Sequence, residues 1–134
     1  MFLKLVKNPT NEFVGVCQVS FETAKLLKEK GFDWEVHRSY LVNDNVFIPG
    51  DINDVPLRKD TIRIPTLQMA MKWLREEHKI IPIILDGGDS YWFRIDKDNK
   101  DNWKSTIYWE DEKLFHTYEE ACEAAIKYCL ENLI

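Results

Sequence analysis

Three segments place apolar residues at helical spacing, and each begins on a capping residue. Ser20 reads as an N-cap, with Glu22 in the first turn and Phe21, Ala24 and Leu27 on one face. Gly31 falls where a left-handed residue closes a helix, and Phe32 supplies the apolar contact of a Schellman ending, so a helix is predicted over about 20–30. Leu67, Ala70, Met71, Leu74 and His78 recur at i, i+3, i+4, i+7 and i+11 behind Thr66. Met69 and Trp73 widen that stripe, which predicts a second helix over about 66–78. Thr117-Tyr118-Glu119-Glu120 is a capping box. It opens a third helix, about 118–133, with the stripe Tyr118, Ala121, Cys122, Ala125, Cys129 and Leu133, widened by Ile126 and Leu130.

Strands are predicted between the helices. Residues 2–6 and 13–17 are short apolar runs, the second weakened by Gly15. Residues 35–42 and 46–48 flank Asn43-Asp44-Asn45, which suits a hairpin turn. Residues 80–85 form an apolar run, but Pro82 cannot donate to a ladder, so the strand is an edge or is irregular there. Asp86-Gly87-Gly88-Asp89 turns the chain into 91–96, with Tyr91, Phe93 and Ile95 on one face and Trp92, Arg94 and Asp96 on the other. A further strand covers 104–109, and Asp111 and Glu112 are expected to turn it towards Leu114 and Phe115. Residues 49–65 show no regular pattern and are expected to be a long loop carrying Arg58, Lys59 and Arg63. The sum is a single α+β domain over 1–134. Its expected form is an antiparallel sheet with about three helices packed mainly on one side, ending in an α-β-β-β-α unit.

Composition narrows the function classes. At 134 residues the chain can bury roughly 65–70% of its unfolded surface, enough for a core without metal or disulfide support. The net charge of −5 falls wholly within residues 66–134, which disfavours a phosphate-binding surface on that half. Three scattered cysteines (Cys17, Cys122 and Cys129) make a poor disulfide framework. The opening residues are too charged for a signal peptide, and no stretch approaches a membrane span of about 20 apolar residues. A cytoplasmic setting is the expectation.

No motif carries chemistry. His37, His78 and His116 have no metal-ligand spacing. Asp96 to Asp101 resembles a calcium loop until Lys100 takes a ligand position and Asp101 the glycine position. Gly87-Gly88 is flanked by Asp86 and Asp89, which repel phosphate, so it reads as a hairpin turn. Cys122 and Cys129 lie on an apolar stripe, where a thiol is a poor nucleophile. No catalytic residue, metal site or cofactor is assigned. Tyr91 with Phe93, or Trp92 with Trp109, would make one sheet face a candidate stacking platform for bases, and of these Trp92 and Trp109 are singled out. With Arg58, Lys59 and Arg63 they are the binding candidates. The helix–three strands–helix order is also that of double-stranded-RNA-binding domains, but Glu119, Glu120 and Glu123 stand where those domains carry basic residues.

The segments 20–32 (SFETAKLLKEKGF), 64–76 (IPTLQMAMKWLRE) and 117–121 (TYEEA), in that order, resemble small uncharacterised proteins encoded by phages and prophages of gut Bacteroidetes. The resemblance implies a mobile-element origin and a bacterial cytoplasm, and no activity. Together these readings lead to the expectation of a non-enzymatic protein-binding accessory protein, with a host or phage protein as partner. The alternatives are a nucleic-acid-binding module using the basic loop and the sheet aromatics, and an enzyme whose site is assembled from distant residues. Self-association as a homodimer through aromatic sheet residues is compatible with all three.

Overall fold

The computed structural model describes residues 4–5, 17–34, 36, 38–41, 46–49, 61–98 and 104–134. Two compact units divide at Thr66. The fold is α+β, with three helices and antiparallel strands among the described residues. Those strands fall into two sheets, one in each unit.

The first unit holds β1 (Lys4–Leu5), α1 (Phe21–Glu29), β2 (Arg38–Leu41), β3 (Val46–Pro49) and β4 (Thr61–Arg63), with strand order β1-β3-β2-β4. The Ser20 hydroxyl accepts the Thr23 N–H at 3.1 Å and so caps α1, whose Thr23, Ala24 and Leu27 are buried. The Schellman ending is present. Gly31 has φ +94°, its N–H donates to the Lys28 carbonyl, and the Phe32 N–H donates to the Leu27 carbonyl. Phe32 is buried as that motif requires.

Two expectations change in this unit. The end of the 49–65 stretch is strand β4, paired with β2, and Pro49 closes β3. Three residues are too few to show alternation, so β4 left no periodic trace. The expected strand over 13–17 lies outside the described residues except Cys17, which is in a turn. Arg58 and Lys59 lie outside them as well.

The second unit runs α2 (Leu67–His78), β5 (Ile80–Asp86), β6 (Tyr91–Asp98), β7 (Lys104–Phe115) and α3 (Tyr118–Asn132). Its sheet has the order β5-β6-β7, so among the described residues β5, with Pro82, is an edge strand. Helix α3 packs on all three strands, and α2 packs on β5 and α3. Leu67, Ala70, Met71, Trp73 and Leu74 of α2 are buried, and His78 meets the Trp73 ring edge-on at 4.7 Å. Lys79 ends the helix in the left-handed region at φ 59°. In α3 the Thr117 hydroxyl accepts the Glu120 N–H at 3.1 Å. Ala121, Cys122, Ala125, Ile126, Cys129 and Leu130 are fully buried there, and the small ones let the helix approach the sheet closely. Tyr118, expected on that stripe, stays 39% exposed.

Strand β7 departs from expectation. It continues through Asp111 and Glu112 to Phe115, where a turn was expected. Phe93 pairs with Glu110, yet Tyr91 pairs with Phe115, so the strand bulges between those pairs. Glu110 organises the bulge: one carboxylate oxygen accepts the Tyr108 hydroxyl at 2.6 Å, the other the Lys113 N–H at 3.1 Å. A second bulge leaves Ile107 as an extra residue between the Ile95–Tyr108 and Asp96–Thr106 pairs.

Candidate interaction surface

Alternation along β6 and β7 gives the second unit's sheet two unlike faces. Phe93, Ile95, Tyr108 and Phe115 point towards the helices. Phe93 packs at 6.0–6.5 Å from Tyr108, Phe115 and Tyr128, and Tyr108 stacks on Tyr128 at 3.8 Å. Phe93 is 2% exposed, so it is core and takes no part in a stacking platform.

The other face carries Trp92, Arg94 and Asp96 from β6 and Thr106 and Trp109 from β7, with Trp109 opposite Arg94. Its charges are tied within the sheet. Thr106 donates its hydroxyl to Asp96 Oδ1 at 2.9 Å, and Arg94 Nε stands 3.3 Å from the same oxygen. The Arg94 contact lacks hydrogen-bond alignment and is a charge attraction only. Thus the buried Asp96 is partnered within the sheet, and this face presents outward the rings and chains of Trp109 and Ile107 beside the exposed Thr106 and the partly exposed Arg94.

The two tryptophans are placed differently. Trp92 is half-buried, with its ring against Gly87 in the β5–β6 turn. Trp109 is 46% exposed, and Ile107, two residues away, is 41% exposed. Leu114, on the same strand, is 56% exposed. Ile107 and Leu114 were not singled out in the sequence. Alternation along the strand already places Ile107 on the face of Trp109; what the bulge changes is Thr106, which alternation would put on the face of Tyr108 and which instead pairs with Asp96. Leu114 sits beside the buried Phe115, and its exposure follows from the bulged course of residues 110–115.

Arg63 is committed within its own unit. Its guanidinium donates to the Asp33 and Trp34 backbone carbonyls and pins the segment after α1 to β4. A phosphate contact through Arg63 would have to break those bonds. The diglycine turn is also occupied. Gly88 donates its N–H to Asp86 Oδ1 at 2.8 Å, and Gly87 donates its own to the Ser90 carbonyl at 2.9 Å. These amides are not turned towards an external anion.

Burial pushes the Cys122 thiol up to about 11 and the Cys129 thiol up to about 12, so both stay protonated at neutral pH. Among the described residues no group of three or more His, Cys, Asp or Glu gathers as a metal site. No described helix is long and apolar enough to cross a membrane.

No family model, curated protein or solved structure matches the chain.

Proposed function

We propose that this chain is a non-enzymatic protein-binding accessory protein of phage or prophage origin that works in the bacterial cytoplasm. Its partner is a host or phage protein, and the contact surface is the outer face of the β5-β6-β7 sheet. The observation that supports this reading is the exposure of Trp109, Ile107 and Leu114 on one strand. Exposed large apolar residues on one strand suit an interaction surface, and tryptophan is among the residues enriched at binding hot spots. Three such side chains are few, so the expected complex belongs to the transient class, below roughly 1,200 Å² of total buried area.

No observation favours nucleic acid to the same degree. Arg63 is engaged with backbone carbonyls, and Glu119, Glu120 and Glu123 crowd the first two turns of α3.

The test is affinity capture from bacterial host lysate with three baits: the native chain, Trp109→Ser, and a mock. The reading expects a protein captured by the native chain and lost with Trp109→Ser, while both chains melt alike. Equal capture by both chains, or nothing above the mock, would remove it.

A further inference from the structure

The two outer strands of the β5-β6-β7 sheet turn different backbone groups away from it. The Asp98 N–H donates to the Lys79 carbonyl at 2.9 Å, and the Gly87 N–H to the Ser90 carbonyl at 2.9 Å. Both bonds continue the register in which Ile81 faces Asp96 and Ile83 faces Arg94. Bonded and unbonded pairs alternate along an antiparallel ladder. Ile81, Ile83 and Leu85 therefore bond to β6, and the backbone of Ile80, Pro82 and Ile84 points to the outer edge. The N–H that Pro82 lacks is one the ladder with β6 does not use.

The same alternation turns the backbone of Phe93, Ile95 and Lys97 towards β7, where they pair with Glu110, Tyr108 and Ser105. Thr106 and Trp109 pair with Asp96 and Arg94, so their own N–H and C=O groups point outward. Both residues are exposed, and no described strand pairs with that edge.

The two edges are thus unlike. That of β5 is blunted by Pro82, whereas that of β7 keeps a donor and an acceptor at Trp109 and carries the exposed Ile107 and Trp109. An open edge recruits a further strand. A second copy supplies one of matching polarity, because a two-fold axis sets β7 antiparallel to itself. With the axis at Trp109, that residue faces its own copy and the two exchange both N–H to C=O bonds. The bulges at Ile107 and between Glu110 and Phe115 confine regular pairing to the residues around Trp109. The blunted β5 edge stops addition at two copies, so the product is a closed pair and not a filament.

We propose that two copies of this chain pair antiparallel through their β7 edges about a two-fold axis at Trp109, joining their sheets into one of six strands. Strand addition leaves the outer face open and sets the two Trp109 rings side by side on it. The few apolar side chains of the proposed partner surface are thereby doubled. The pairing itself does not rest on that reading, since it is measured on the purified chain with no partner present.

The test is sedimentation velocity of the full chain from about 10 µM to about 1 mM, a range that spans a Kd on the order of 100 µM, as suits a small contact. The native chain should pass from monomer to dimer with no larger species. Trp109→Ser and Trp109→Pro both remove the ring, but only proline removes the outward N–H. Trp109→Ser should weaken the dimer by no more than about fivefold, the contribution of a cross-strand aromatic pair. Trp109→Pro should abolish the dimer while still melting cooperatively, because Pro82 holds the equivalent position on the opposite edge. Should that variant fail to fold, amide exchange of the native chain decides. The Trp109 N–H should exchange about fourfold more slowly at 1 mM than at 10 µM, with the outward Ile84 N–H unchanged. The proposal is overturned if the native chain stays monomeric at about 1 mM, ten times that Kd, or forms species larger than a dimer. It is equally overturned if folded Trp109→Pro dimerises like the native chain, or if exchange at Trp109 is independent of concentration.

Discussion

The ring of Trp92 lies where the Cβ of any other residue at position 87 would have to go. Gly87 thus owes its place to close approach, whereas Gly88, at φ +100°, is required by the turn itself. Gly87→Ala must displace the indole and should cost about 1–3 kcal/mol, the usual range for overpacking. A lower denaturant midpoint with red-shifted tryptophan emission is the expected result.

Lys79 carries the strain of a left-handed residue with a side chain, worth roughly 1–2 kcal/mol. Glycine removes that strain at the price of unfolded-state entropy. Lys79→Gly is therefore expected to raise stability by up to about 1 kcal/mol, read as an increased denaturant midpoint. The exposed bond from Lys79 Nζ to the Glu76 carbonyl is a minor loss.

Thr117→Ala removes the acceptor for the Glu120 N–H at the start of α3 and should cost about 1 kcal/mol. Thr117→Asp keeps a capping oxygen and should restore most of the loss. Equal melting midpoints for all three chains would show that the cap contributes nothing.

The two buried thiols make stability fall in alkali. In the unfolded chain each ionises near its ordinary value of 9.0, while in the fold Cys122 holds its proton to about 11 and Cys129 to about 12. Above pH 9 the unfolded chain therefore binds fewer protons than the folded one. Each thiol then lowers stability by up to about 1.4 kcal/mol per pH unit until its folded value is reached. Below pH 8 the effect is absent. Urea denaturation of the native chain and of Cys129→Ala between pH 7 and 11 should show the gap between them changing above pH 9, with the variant falling less steeply.

Much of the second unit was legible because its signals are local. The Thr117 hydroxyl before the last apolar stripe and the diglycine between two apolar runs each fix a few neighbouring residues, as Ser20 and Gly31 with Phe32 do for α1 in the first unit, and the helix boundaries follow to within a residue or two. The course of β7 was not legible. Asp111 and Glu112 carry turn chemistry, and only the Glu110 carboxylate, bound to Tyr108 and Lys113, explains why the strand bulges there and continues. The division into two sheets depends on pairings between distant segments, such as Tyr40 with Ile62. The aromatic cluster on the helix side had no local signal either, since Phe93, Phe115 and Tyr128 meet only after three elements have packed. Trp109 was named as a candidate from the alternation of its strand, and it is exposed. Arg63, named for its charge, went instead to the Asp33 and Trp34 carbonyls.

Pro82 bears on the chain's behaviour before it is folded. Residues 80–85 read IIPIIL, six uncharged residues rich in β-branched side chains, on a strand that among the described residues has a neighbour on one side only. Without the proline this run would have the composition of a segment that stacks into fibrils. Pro82 removes one amide from any growing cross-β ladder while its own ring is buried in the native fold. Pro82→Val should leave the native fold intact yet speed thioflavin-positive aggregation on heating. One residue thus serves the molecule twice, as core filling in the native state and as a gatekeeper against self-templating during synthesis.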